Sequence, residues 1–336
     1  MQDFYNFFLE EISFIKAFYS IFFAFVAFFL IKKFFYKINF VDKPNKRSNH
    51  KEPVALGGGV ILIPLIILIS VQFGYDWKKD IMLSIFILFF ISFLDDIKNI
   101  NSLIRLFFHI SAISIFVAAN LSEEILKLAK NYKYIYLLIL ITITIFLAWF
   151  LNAFNFMDGI NGITSIQVLS ISISLIFFNY FIAKELNILA VSIFLPMVIF
   201  CYHNWNPASI FLGDAGSVPL GFLIIILLSD LALKGYWVSA LTLPMYYILD
   251  TSITLTKRIF KGKKFWQAHS QHYYQQALKN GLSHTRVSYF ILLINVGLFF
   301  LSFSALIYKN NICFLFIGLF WCLIFLKLFS EKNKSI

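Results

Sequence analysis

The sequence predicts an all-α, polytopic membrane bundle of about 10–11 transmembrane helices, with its polar segments gathered on one face. Three observations carry this reading. Of the 336 residues, 60% are hydrophobic and 13% charged, whereas a soluble domain carries about 25% charged residues. Apolar runs recur along the whole chain at close to the roughly 20 residues a spanning helix needs. Most of the 28 Lys and Arg residues fall in the segments on one side of those runs, which marks that side as cytoplasmic.

The runs fall at roughly 12–35, 56–73, 80–94, 103–120, 134–152, 163–182, 188–203, 217–233, 236–257, 287–308 and 312–329. The first is preceded by Asp3, Glu10 and Glu11 rather than a basic stretch, and it ends in Lys32 and Lys33. It shows no small-residue cleavage site, so it reads as a retained helix rather than a secretory signal. No internal repeat or second soluble domain interrupts the pattern, and residues 1–336 read as a single membrane domain. Cys201, Cys313 and Cys322 lie in or beside apolar runs without a CxxC pair, and imply neither disulfide nor metal. The net charge of +11 suits loops facing anionic lipid. It does not indicate nucleic acid, because no basic-aromatic array sits on a soluble module.

Counting spans places segments 36–55, 95–102, 153–162, 204–216 and 258–286 on the same, cytoplasmic face. These five segments hold the polar and glycine-containing stretches, which argues for one composite site. In "VDKPNKRSNHKEPVALGGGV", the cations Lys43, Lys46, Arg47, His50 and Lys51 precede Gly57, Gly58 and Gly59. Glycines let backbone N–H groups approach a ligand closely, so this segment suits an anion or a phosphorylated ligand, or else is a basic loop with a turn. Asp95 and Asp96 end an apolar run. Adjacent carboxylates there either repel until one is protonated, share a divalent cation, or stand as solvated helix-end charges.

In "NAFNFMDGINGI", Asn152, Asn155, Asp158 and Asn161 recur every third residue, which aligns them on one face if the segment is helical. In "NWNPASIFLGDAGSVPLG", Asp214 sits in a glycine-flanked turn before a helix, where a carboxylate can hold a metal or cap the helix. His269 and His272, three apart in the basic loop 258–286, are expected to share a helical face and to meet phosphate or handle protons. An amphipathic surface helix is the plainer reading of that loop. Jointly, the acidic positions, cations and glycine turns suggest Mg²⁺-dependent handling of a phosphate or diphosphate at the membrane surface.

Taken in order, "VDKPNKRSNH…GGG", "FLDDIKN", "NAFNFMDGINGI", "FLGDAGS" and "FWQAHSQHYYQQA" resemble the motifs of the polyprenyl-phosphate N-acetylhexosamine-1-phosphate transferases, the glycosyltransferase superfamily that includes WecA, WbpL and MraY. The similarity spans nearly the whole chain, and the last motif is nearest the WbpL-like branch. The resemblance implies transfer of a sugar-1-phosphate from a UDP-N-acetylhexosamine to undecaprenyl phosphate, releasing UMP, at the cytoplasmic face of a bacterial inner membrane. That step would begin a cell-envelope glycan such as an O-antigen or capsule. The implied cofactor is Mg²⁺, with Mn²⁺ as a substitute, and a homodimer is the implied assembly.

The resemblance also assigns roles. Asp214 leads the metal ligands with Asp95 and Asn155, while Asp95 acts on the lipid phosphate or the metal and Asp96 supports it. Asn155, Asp158 and Asn161 contact nucleotide or diphosphate, and Phe211 lies near the uracil. His269 and His272 meet the diphosphate or sugar, with Arg47, Lys51 and Lys98 as supporting cations. Two departures stand out. Asn161 replaces a second aspartate usual in the family, and "AHSQH" differs from the WecA-like histidine pattern. The latter shifts the expected sugar from GlcNAc toward a deoxy-N-acetylhexosamine such as FucNAc or QuiNAc.

A transporter or flippase of a lipid-linked or anionic solute is the alternative of a different class. It would place charges near the membrane midplane, often in broken or repeated helices, whereas these carboxylates sit at helix ends. A CDP-alcohol phosphotransferase would carry an Ala-Arg pair after its Asp-Gly, which "DGINGITS" lacks. An inactive relative would not be expected to keep Asp95, Asp96, Asp158 and Asp214 together.

Overall fold

A computed structural model describes residues 14–44, 52–130, 132–263 and 269–331. All eleven apolar segments are helical within it, and the chain is an all-α polytopic membrane protein. In chain order the first helices are α1 (Phe14–Lys37), α2 (Gly58–Gln72), α3 (Lys79–Lys98) and α4 (Ser102–Asn120). They are followed by α5 (Ser122–Leu128), α6 (Lys133–Phe156), α7 (Ile163–Ala183), α8 (Ile188–Asn204) and α9 (Asp214–Leu233). The last are α10 (Trp237–Thr242), α11 (Met245–Phe260), α12 (Tyr273–Lys279), α13 (His284–Ile307) and α14 (Cys313–Ser330). Among the described residues, α1, α4, α6, α7, α9, α13 and α14 are long and apolar enough to cross a membrane, and α2 and α8 are shorter apolar helices. Helix α3 matches the long helices in length but carries Lys79, Asp80, Asp95, Asp96 and Lys98 at its ends.

The ninth expected span is broken in two. Pro244 separates α10 from α11, because its ring lacks an N–H and clashes with the preceding turn. The second half is amphipathic and holds Asp250, Thr254, Lys257 and Arg258. Unlike the spans, a small sheet carries no hydropathy signal. Strands β1 (Val41–Asp42), β2 (Val54–Leu56) and β3 (Ile210–Phe211) are too short for an alternating pattern to register. β1 pairs antiparallel with β2 through Val41 and Ala55, and β2 pairs parallel with β3 through Leu56 and Phe211.

The sheet ties the first polar segment to the turn that carries Asp214, and the triple glycine completes the tie. Gly59 N–H donates to Leu212 O at 2.8 Å, and a Cβ on Gly59 would lie 2.1 Å from Gly216 Cα. A Cβ on Gly58 would meet the Phe200 ring at 2.5 Å. Gly59 permits backbone packing of α2 against α9, and Gly58 leaves room for the Phe200 ring of α8.

Helix α9 is buried at every residue from Ala215 to Leu228, as expected of a helix apolar all round at the centre of a bundle. It packs against α2, α3, α6 and α10. Peripheral helices expose Phe22, Phe86, Phe107, Leu138 and Phe320, apolar surface of the kind lipid covers. Asp214 is the first residue of the central helix, so its carboxylate lies at the middle of one end of the bundle.

Candidate active site

The turn between α3 and α4 builds the first half of the site. Asn99 closes α3 in the left-handed conformation, at φ 50°, and Asn101 caps α4 by accepting Leu103 N–H at 2.9 Å. Asn tolerates φ > 0 better than most residues. This short hairpin sets Arg105, one turn into α4, level with Asp95 in the last turn of α3. Asp95 Oδ1 accepts Ile100 N–H at 2.5 Å, and Oδ2 accepts Arg105 Nη1 at 2.5 Å.

The second half comes from α9. Arg105 Nη1 also donates to Asp214 Oδ2 at 2.9 Å. One guanidinium nitrogen therefore sits between carboxylate oxygens of two different helices, a charge-assisted arrangement among the stronger hydrogen bonds available. The Asp214 side chain is 29% exposed against 12% for Asp95, so the site opens to its surroundings on the Asp214 side.

Asp96 does separate work. Successive helical residues point in different directions, and its oxygens accept Asp214 N–H at 2.8 Å and Ala215 N–H at 3.0 Å. It thus caps α9 from α3, satisfying donors that a helix start leaves free. Gly213 has φ 74°, and a Cβ there would come within 2.7 Å of Asp96 Oδ2, so glycine is needed both for the turn and for this approach.

The "NAFNFMDGINGI" segment is not one helical face. Helix α6 ends at Phe156, and the four polar residues diverge. Asn152 Oδ1 meets His109 Nδ1 at 3.1 Å. Asn155 donates through Nδ2 to Asp214 Oδ2 at 3.4 Å, while its Oδ1 accepts Ser217 Oγ–H. In this arrangement the amide meets Asp214 as a donor, and its oxygen is taken up by Ser217. Asp158 lies in the turn beyond the helix. Desolvation pushes its carboxyl up to about 6, with a hydrogen bond from Thr164 opposing the rise and the charge of Asp96 adding to it.

Asn161 turns away from the carboxylates. It is buried, donates to Asn206 Oδ1 at 3.0 Å, and its carbonyl accepts Ser288 Oγ–H at 2.8 Å. The residue that departs from the family pattern is thus an amide facing an amide, a bracket between α13 and the turn that follows α8. Phe211 is half-buried on β3, three residues before Asp214, and Lys98 is exposed on the last turn of α3. Arg47 and Lys51 lie outside the described residues.

The histidine loop docks on the same end of the bundle. Tyr274 O–H donates to Phe156 O at 2.9 Å, and a Cβ on Gly159 would sit 2.1 Å from that hydroxyl. His269 and His272 precede α12 instead of sharing its face, with His272 as its N-cap. Their rings stack at 4.9 Å, and His272 also lies 6.3 Å from the Phe156 ring. Burial first, then the electrostatic influence of the adjacent His272 and Arg258, lowers His269 to about 4. It is therefore neutral at pH 7 and can exchange hydrogen bonds but not supply charge. The loop's own cations bind the loop together: Lys257 donates to Tyr273 Oη, Arg258 to Gln271 Oε1 at 2.7 Å, and Lys279 to Ser270 Oγ at 2.8 Å.

Sequence reasoning counted Arg105 only as a basic residue. The signal that could have found it is the three-residue connection after the aspartate pair, which folds the next helical turn back onto Asp95. No group of three or more His, Cys, Asp or Glu side chains suited to a metal occurs among the described residues. Even so, two carboxylate oxygens converge on one positive nitrogen.

Comparison with known proteins finds similar transferases. The model of glycosyl transferase family 4 matches residues 80–232, from the start of α3 nearly to the end of α9. A probable undecaprenyl-phosphate N-acetylglucosaminyl 1-phosphate transferase of Bacillus subtilis (strain 168) is 24% identical over 320 residues, 91% of this chain and 88% of the relative. A phospho-N-acetylmuramoyl-pentapeptide-transferase of Kosmotoga olearia is 30% identical over 130 residues, 38% of this chain and 39% of the relative. The transferase of the same name from Streptococcus thermophilus is 36% identical over 120 residues, 34% of each chain. The family match covers the aspartate pair, Arg105, Asn155, Asp158 and Asp214, and the comparisons support a membrane sugar-phosphate transferase similar to the polyprenyl-phosphate hexosamine-1-phosphate transferases.

Proposed function

We propose that the protein transfers the sugar-1-phosphate of a UDP-N-acetylhexosamine to undecaprenyl phosphate, starting a cell-envelope glycan at the cytoplasmic face of the inner membrane. A phosphate oxygen of the lipid forms a bond to the β-phosphorus of the donor. The bond from that phosphorus to the bridging oxygen breaks, and UMP leaves with the electron pair. The observation that carries this reading is the meeting of Asp95, Asp214 and Arg105 at the end of the central helix.

Phosphoryl transfer asks a protein mainly for alignment and neutralisation of charge. Arg105 supplies positive charge beside both carboxylates. Asp96 fixes the start of α9 and so the direction of Asp214, and Asn155 steadies the same oxygen that Arg105 holds. The convergence of two carboxylate oxygens on one cationic atom fits a divalent ion, since Mg²⁺ takes one or two carboxylates and keeps positions for substrate phosphates. Asp214 and Asp95 would hold Mg²⁺ or Mn²⁺, which supplies Lewis-acid neutralisation of the diphosphate when bound. Neutral His269 would exchange hydrogen bonds with the sugar or diphosphate.

The test uses purified protein in detergent with undecaprenyl phosphate and separate UDP-GlcNAc, UDP-FucNAc and UDP-QuiNAc donors. Organic extraction then reads lipid-linked sugar. Lipid product from one donor, lost with EDTA, is the expected result. No lipid product from any donor across a wider UDP-sugar panel would reject the reading.

A further inference from the structure

Asp250 lies on α11, ten residues before that helix ends, and has no exposed surface. It belongs to none of the motifs described above. Its carboxylate nevertheless gathers five donors. Tyr246 O–H donates at 3.1 Å and Thr254 O–H at 3.2 Å, each one turn away on the same helix. The other three come from across the loop: Tyr273 N–H at 3.0 Å, Tyr274 N–H at 3.2 Å, and His272 Nδ1 at 3.2 Å. An acceptor that gathers backbone amides from another helix fixes where that helix begins.

The contact also fixes His272. Asp250 is used as an acceptor throughout, so the ring nitrogen facing it carries a hydrogen. Which nitrogen of an imidazole is free is set by the bond the other makes. That leaves Nε2 as the acceptor nitrogen of the ring. The ring cannot turn readily, because it is packed among the rings of Phe156, His269 and Tyr274. Phe156 is two residues from Asp158, so the held ring lies beside the turn that carries that carboxylate.

We infer that Asp250 is a positioning residue for the transfer reaction: it holds His272 in one tautomer and orientation and presents Nε2 to the substrate diphosphate or sugar. This rests on the transferase reading above. Outer partners of this kind change activity by about 10- to 100-fold at metal-site histidines, and the same scale is expected here.

Four variants test it: Asp250→Asn, His272→Asn, the double variant, and Thr254→Val, which removes another donor to the same carboxylate without touching the loop. Asp250→Asn should lower kcat about 10- to 100-fold with KM for the UDP-sugar nearly unchanged. His272→Asn keeps a donor toward Asp250 and deletes Nε2, so it should lose kcat similarly without a change in melting temperature. The double variant should be no worse than His272→Asn, because the two residues act as a unit. Thr254→Val should keep wild-type kcat.

Additive losses, or a loss in Thr254→Val equal to that in Asp250→Asn, would reduce Asp250 to a structural role and overturn the inference. If Asp250→Asn does not accumulate in membranes, unchanged kcat in His272→Asn overturns it alone. Hydrogen exchange at Tyr273 and Tyr274, read without substrate, separates this inference from the functional reading. Faster exchange in Asp250→Asn beside an inactive wild type rejects the transferase reading only. Unchanged exchange in that variant rejects the contact itself.

Discussion

The two ends of helices α3 and α9 carry similar charged residues but use them differently. At the end away from Asp214, Lys78 donates to Asn120 Oδ1 at 3.0 Å, Asn120 donates to Asp80, and Lys234 pairs with Asp230 at 2.9 Å one turn away. The Lys234 and Asp230 side chains are 39% and 48% exposed. Such pairs are worth about 0–1 kcal/mol. At the Asp214 end, carboxylates from two helices share one guanidinium nitrogen, and a third carboxylate takes up two backbone N–H groups. The first end shows what charged residues at helix ends do by default. The second spends backbone and side-chain donors to hold two carboxylates close together, which stability alone does not require.

The sharpest way to break this comparison is to neutralise the converging carboxylates. Asp214→Asn and Asp95→Asn should each lower kcat by about 100- to 1,000-fold, the scale of losing one electrostatic stabiliser of a transition state. Detergent melting of both should stay close to wild type. Arg105→Lys keeps the charge but cannot place one planar nitrogen against both carboxylates, and a loss of about tenfold in kcat/KM is expected. Arg105→Ala should lose more.

Asp158 sharpens the comparison through pH. Its folded value of about 6 lies above that of an unfolded carboxyl, near 4. Between those values the native protein holds a proton that the unfolded chain has released. The contribution of this group to stability therefore falls as pH rises through that window, and the ionised carboxylate is a cost above it. Asp158→Asn should melt above wild type at pH 7, with the difference closing toward pH 4. A difference independent of pH would refute this account of Asp158. Gly59→Ala, which would drive a Cβ to 2.1 Å from Gly216 Cα, should destabilise by about 1–3 kcal/mol. The smallest effect belongs to the opposite end: Lys234→Ala should change stability by less than about 0.5 kcal/mol and leave turnover intact.

Hydropathy made the spans legible, because burial in lipid or in the bundle demands long apolar runs whatever the packing. Pro244 was visible in its run, but splitting a span on it requires knowing that the polar half of α11 is amphipathic. The strands were not legible, since two or three residues cannot show a period. Spacing misled at the histidines and the asparagines, where a helical face was expected and a turn intervenes. The carboxylates themselves were legible from their cost beside apolar runs. Arg105 and Asp250 were not, because one acts through a helical hairpin and the other across a loop, and neither relation is written in local spacing.

The most direct test of the account is UMP release by purified wild type and Asp214→Asn, side by side, with and without undecaprenyl phosphate, in Mg²⁺ with an EDTA control. The account predicts that release by wild type requires both lipid and divalent ion and that the variant releases little UMP while melting normally. Full UMP release by Asp214→Asn, or release by wild type that ignores the lipid, would contradict it.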